Sequence, residues 1–141
     1  MKKIFTVLAW VQFLAVIVQF FLAATGAVKT SPTEQAFSAH RMLGYSILLV
    51  AVVVTLAGAV AKMPGRIVGM AGLVIGLVLV QVLIREVAKA IGDDSTAGAL
   101  VFGLHAINGL FLMGLTEQIA QRARKIAWPP VAEARLGQTA S

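Results

Sequence analysis

Four long gaps between charges decide what this chain can become. No Asp, Glu, Lys or Arg falls between Lys3 and Lys29, Arg41 and Lys62, Arg66 and Arg85, or Asp94 and Glu117, leaving windows of 25, 20, 18 and 22 residues. A helix rising 1.5 Å per residue needs roughly 20 mostly apolar residues to cross about 30 Å of hydrocarbon. The third window only just qualifies, and its helix is expected to run on past Arg85. The windows are continuously apolar rather than alternating, which argues against strands. The expectation is an all-α fold, an integral membrane four-helix up-down bundle with helices over about 4–27, 32–61, 66–91 and 95–121.

Composition supports this and closes other routes. Of the 141 residues 59% are hydrophobic and 13% charged, about half the charge of soluble domains and the opposite of a disordered chain. With no cysteine, disulfides, thiolate zinc sites and iron–sulfur clusters are excluded. Net charge is +6, but its placement argues for topology rather than for nucleic acid. One side of the windows collects Lys2, Lys3, Lys62, Arg66, Arg122, Arg124, Lys125 and Arg135. The other collects Lys29, Arg41, Arg85 and Lys89, balanced by Glu34, Glu86, Asp93 and Asp94. By the positive-inside rule both termini are cytoplasmic in the cell inner membrane, and the basic face meets anionic lipid.

Local signals mark the helix ends. Ser31-Pro32-Thr33-Glu34 reads as the start of the second span, with Ser as cap, Pro first and Glu three residues after the cap. Met63-Pro64-Gly65 makes a tight turn, so the second and third spans are antiparallel neighbours. Gly92 ends the third span, and Asp93-Asp94-Ser95-Thr96 offers caps for the fourth. Trp128-Pro129-Pro130 ends any helix. The chain thus divides into a bundle over 1–125 and a basic, Pro-containing cytoplasmic tail over 126–141. Lys2-Lys3, the apolar stretch and Leu22-Ala23-Ala24 also resemble a secretory signal. The apolar stretch is longer than a signal core and holds Gln12 and Gln19, so retention as a first span is expected. Gly65, Gly69, Gly72 and Gly76 form small-xxx-small pairs, read as close helix packing.

The two halves overlay on each other. Val18-Gln19-Phe20-Phe21-Leu22 answers Val80-Gln81-Val82-Leu83-Ile84, and His40-Arg41-Met42-Leu43-Gly44 answers His105-Ala106-Ile107-Asn108-Gly109. Gln precedes His by 21 residues in one half and 24 in the other. Such a duplicated hairpin makes the second and fourth spans parallel, on opposite sides of the bundle axis.

His40 and His105 are the only histidines, 8 residues past Pro32 and 10 past Ser95. That puts both imidazoles at a similar depth in the outer half of the membrane. Imidazoles facing one another from diagonal helices can supply both axial ligands of a haem iron. Gly44 and Gly109, one turn on, would leave space for a flat macrocycle; Ala51 and Gly58 extend the thin stripe. Gln81 would approach the ring edge, and Arg41 and Arg85 are the candidate cations for the propionates, with Asn108 and Tyr45 as further pocket residues. The competing reading is hydrogen bonding between helices, for the histidines and for Gln19 and Gln81 alike. No carboxylate or thiol lies near the histidines in sequence, which disfavours zinc.

With His40-Arg41-x-x-Gly44 and Leu104-His105-Ala106-x-Asn108, residues 1–125 resemble one four-helix half of haem A synthase, and the small uncharacterised four-helix membrane proteins related to it. The resemblance implies a haem-holding bundle with a His on the second and fourth spans. The synthase carries a functional Glu three residues before the second-span His, where this chain has Phe37. No catalytic residue is therefore expected, and the chain is not expected to be an enzyme by itself. The leading expectation is a bis-histidine haem b protein of cytochrome type, for electron transfer or haem handling, with a quinone or a larger membrane complex as partner. The alternative is a structural accessory subunit of a respiratory or photosynthetic complex without its own cofactor. Small-residue helix faces are compatible with oligomers, and no nucleic acid partner is expected.

Overall fold

The structure, a computed structural model, describes residues 1–92 and 95–129. It holds five helices among those residues: α1 (Lys2–Ala27), α2 (Thr33–Ala36), α3 (Ser38–Val60), α4 (Gly65–Ile91) and α5 (Thr96–Ala127). Four of them, α1, α3, α4 and α5, are long and apolar enough to cross a membrane. Their outward faces are apolar, with Leu100 71% and Phe111 66% exposed. That is the inverse of a soluble bundle and the surface that acyl chains cover. The protein is a multi-pass membrane protein.

The helices close a ring. Packing runs α1 to α3, α3 to α4, α4 to α5 and α5 back to α1. The diagonal pairs α1/α4 and α3/α5 do not pack on each other, so the two histidine-bearing helices do stand across the bundle axis.

The ends mostly follow the local signals. At the end of α3, Lys62 takes a positive φ of 52°. Its N–H donates to the Ala59 carbonyl at 3.1 Å, and the Met63 N–H donates to the Gly58 carbonyl at 3.0 Å. That is a Schellman closure, with Met63 buried behind it. Gly92 ends α4 at φ +116°. Ser95 caps α5 by accepting from the Gly98 N–H at 2.9 Å and donating to the Gly92 carbonyl at 2.8 Å. Asp93 and Asp94, also proposed as caps, lie outside the described residues.

Two boundaries differ from the sequence reading. The second span does not run unbroken from Pro32: α2 is a separate turn capped by Pro32, without a side-chain cap from Ser31. Phe37 breaks the helix because its ring is drawn against α1, where its Cδ1 and the Ala36 carbonyl lie 2.9 and 3.0 Å from the place a Gly26 Cβ would take. At the other end α5 continues to Ala127, six residues beyond 121, with Arg124 and Lys125 in its last turn. Cations there favour the helix C-terminus rather than ending it. Of the 126–141 tail, residues 130–141 lie outside the described residues.

Core packing is interrupted part-way along the bundle. Phe5, Ala9, Gln12 and Val16 of α1, Ile47, Ala51, Val54 and Gly58 of α3, Ile67, Ala71, Val74 and Val78 of α4, and Asn108 to Ala123 of α5 supply the buried residues. These lie toward the end where α1 starts and α5 finishes, while Gly26, Ala36, Ala88 and Gly98 form a second, smaller buried group at the opposite end. Between residues 17–25, 37–46, 79–87 and 99–107 no residue is buried. The alternating three- and four-residue steps of the core reach Gln19, Gly44 and His40, Gln81 and His105 in that layer, and each of these is only half-buried. A layer of inward positions that stays accessible is an opening in the bundle.

Candidate functional site

His40 and His105 meet in this opening. Their ring centroids are 6.1 Å apart, with the planes inclined at 47°. Each is oriented by the preceding helix of its own half. The His40 Nδ1–H donates to the Gln19 backbone carbonyl at 3.1 Å, and the His105 Nδ1–H donates to the Gln81 backbone carbonyl at 3.2 Å. A carbonyl can only accept, so Nδ1 carries the proton and Nε2 of each neutral ring keeps its lone pair. Fixing one ring nitrogen on a carbonyl so that the other can bind is the usual support of a ligating histidine. The internal repeat is therefore a repeat of contacts, with Gln-to-His pairs at equivalent places.

Side chains around the rings differ between the halves. The Gln19 Nε2 donates to the His40 backbone carbonyl at 2.8 Å. In the second half the Asn108 side chain instead joins α5 to α4, donating to the Leu77 carbonyl at 2.9 Å. The Oε1 atoms of Gln19 and Gln81 are buried without a hydrogen-bond partner, so two acceptors remain available in the layer of the histidines. Phe37 stands edge-on to His40 at 6.1 Å, and Phe102 stacks on His105 at 5.2 Å and 19°. The Arg85 guanidinium lies 6.0 Å from the Phe102 ring. Phe102 was missed by sequence reasoning; its place three residues before His105 is the one signal that could have found it.

Several expected roles change. Gly44 and Gly109 make room for protein side chains rather than for a ring. The Gln19 Nε2 lies 3.2 Å from where a Gly44 Cβ would stand, and the Phe20 Cζ and Gln81 Nε2 lie 3.2 and 3.3 Å from that of Gly109. Gly58 continues the stripe by admitting the Phe5 ring, 2.9 Å from its would-be Cβ. Arg41 is engaged with α2, forming an ion pair with the Glu34 carboxylate at 3.0 Å and donating to the Glu34 carbonyl, which takes it from the propionate role. Tyr45 is exposed on the outer surface and lines no pocket with the histidines. Gly65, Gly69, Gly72 and Gly76 have nothing within 4 Å of an added Cβ, so they pack no helix of this bundle.

The donor set fits the expected group in one specific way. A metal held by two imidazole nitrogens at about 2.0 Å each would separate the ring centroids by about 6 Å, close to the gap observed. Among the described residues no cluster of three or more His, Cys, Asp or Glu forms a metal site.

Residues 19–88 match the model of a family of unknown function (DUF6220). The match begins at Gln19, includes His40 and Gln81, and stops short of His105. No curated protein and no solved structure matches the chain.

Proposed function

We propose that this protein holds one b-type haem between His40 and His105 and serves electron transfer or haem handling in the cell inner membrane, with both termini cytoplasmic. The observation that carries the reading is the pair of imidazoles 6.1 Å apart, each with Nδ1 tied to a backbone carbonyl of the neighbouring helix. The half-buried layer around them and the likeness to a half of haem A synthase support it. Eight basic residues at one end against four at the other support the orientation.

A haem bound there supplies a one-electron iron couple. The chain's own contribution is to hold and shield. The Gln19 and Gln81 carbonyls fix the rotation of both rings, and Phe37 and Phe102 pack against them and limit water. With Arg41 held by Glu34, Arg85, 6.0 Å from the Phe102 ring, is the cation that would face a propionate. His40 and His105 would hold the iron from both sides and leave no site for a substrate, and Phe37 stands where haem A synthase has its functional Glu. The partner is a quinone or a larger membrane complex rather than a small-molecule substrate.

The test is an oxidised-minus-reduced absorption spectrum of the detergent-purified protein, with and without added haem. Low-spin haem bands that disappear in both His40→Ala and His105→Ala are expected. A colourless protein that takes up no haem overturns the reading. In that case the open glycine face of α4, which nothing in this bundle covers, favours an accessory subunit held by a helix of a larger complex.

A further inference from the structure

At the end of the bundle opposite the histidine layer, α1 and α5 run antiparallel and leave a cleft of about 370 Å3 lined by Trp10, Gln121, Arg124, Lys125 and Trp128. Gln121, Arg124, Lys125 and Trp128 follow the i, i+3, i+4, i+7 pattern of one helix face. Lys3 and Trp10, seven residues apart, stand opposite on α1, and the Lys3 Nζ lies 5.7 Å from the Trp128 ring centroid.

Cleft chemistry is graded along its length. Trp10, well inside the first span, supplies an apolar wall at acyl-chain depth. Lys3, Arg124 and Lys125 are exposed at the mouth. Among the described residues no carboxylate lies within ion-pair distance of these three cations. Among the described residues the acid on this part of α5, Glu117, is engaged one turn before Gln121, accepting from the Gln121 Nε2 at 2.8 Å, and Arg122 is turned to Gln118. The cations stand beside the C-terminal end of α5, whose dipole they offset, but the N-terminal end of α1 lies at the same level with the opposite sign. Positive charge at the mouth is thus left for an external anion. An indole–cation mouth over an apolar wall matches a molecule with an anionic head and a hydrocarbon tail.

We propose that the α1–α5 cleft binds an anionic phospholipid, with its phosphate between Lys3, Arg124 and Lys125 and an acyl chain along Trp10. This does not depend on the histidine site.

Trp10 and Trp128 are the only tryptophans in the chain, so tryptophan emission, excited selectively over Tyr45, reports on this cleft. The full chain is reconstituted in phosphatidylcholine vesicles containing a minor fraction of either phosphatidylglycerol or phosphatidylcholine brominated on the acyl chain. Stronger quenching by the brominated phosphatidylglycerol is expected, and the preference should fall by about five-fold for each cation removed in Arg124→Gln/Lys125→Gln. Lys62→Gln/Arg66→Gln, which removes as much charge at the same end but outside the cleft, should keep it. If the first pair fails to fold by circular dichroism, Lys3→Gln provides the same reading with one cation removed. Equal quenching by both lipids overturns the proposal, as does equal loss of preference in the control pair. Relief of quenching by inorganic phosphate would make the occupant a free phosphate, and that also overturns it.

Discussion

Gln19 and His40 hold each other through two reciprocal bonds, the glutamine amide donating to the histidine carbonyl at 2.8 Å and the imidazole Nδ1 donating to the glutamine carbonyl at 3.1 Å. Only the first uses the Gln19 side chain, whereas the second uses its backbone, so the two can be separated by mutation. Gln19→Leu removes the amide bond and leaves the imidazole anchored. The expected cost is about 1 kcal/mol of bundle stability, with any bound haem staying low-spin. Gln81→Leu has a different expectation. Its Oε1, like that of Gln19, is a buried acceptor without a partner, but no cross-helix amide bond like that of Gln19 is lost with it, so an apolar side chain of similar size should be neutral or slightly stabilising. Thermal unfolding of both variants in the same detergent, read by circular dichroism, gives the comparison. A larger loss for Gln81→Leu than for Gln19→Leu would contradict it.

Glycines in this chain fall into two kinds that a sequence does not separate. An alanine Cβ at Gly58 would come 2.9 Å from the Phe5 ring, itself fully buried. Gly58→Ala should therefore lose about 1–3 kcal/mol by overpacking. Gly69→Ala and Gly76→Ala meet nothing within 4 Å and should gain up to about 1 kcal/mol from helix propensity. Melting temperatures of the purified protein will show opposite signs for the two kinds. A leucine at Gly69 that leaves the isolated bundle intact but prevents its recovery in a larger assembly would identify a partner helix on that face.

How much of this was legible in the sequence depends on the range of the interaction. The four spans, the Gly92 stop and the Ser95 cap came through because each depends on a few consecutive residues and on the uniform demand of an apolar solvent. The Gln-to-His repeat came through because both halves carry it at nearly the same spacing, and the structure joins those residues. The break at Phe37 did not, since it is imposed by α1 at Gly26. Nor did the role of Gly44, which depends on where the Gln19 amide ends up once α1 and α3 pack. Arg41 was assigned to an anion on the strength of its neighbour His40, yet a helical neighbour points elsewhere, and Glu34 on the preceding turn reaches it first. Small residues on α4 looked like packing because composition alone does not say which face of a helix has a neighbour.

Asn108 ties α5 to α4 one turn from the His105–Gln81 bond. Its side-chain N–H donates to the Leu77 carbonyl at 2.9 Å, and the residue is buried. A polar side chain in this setting is worth about 0.6–1.7 kcal/mol between membrane helices. Asn108→Leu should lower stability by that amount, and because Asn108 lies one turn from His105 it should also broaden the absorption bands of any bound haem. Asn108→Asp, which keeps the shape but replaces the amide donor, should cost more, since a carboxylate facing the Leu77 carbonyl leaves two acceptors opposed. Parallel unfolding curves of the two variants test the order.

Lys62 is the one non-glycine residue among the described residues with a positive φ, at 52°. It occupies the position after the α3 C-cap where glycine is normally found, and a side chain there costs roughly 1 kcal/mol. Lys62→Gly should therefore raise stability by about 0.5–1 kcal/mol, with both Schellman bonds kept. On the proposed orientation the same change removes one of the basic residues counted on the cytoplasmic side. Unfolding in detergent reads the first effect. Accessibility of a cysteine introduced at Ser31 in intact cells reads the second, and the shift toward inverted molecules should be small, because Lys2, Lys3, Arg66, Arg122, Arg124 and Lys125 still carry the same end. Destabilisation by Lys62→Gly would mean that the lysine side chain makes a contact worth more than the backbone strain it imposes.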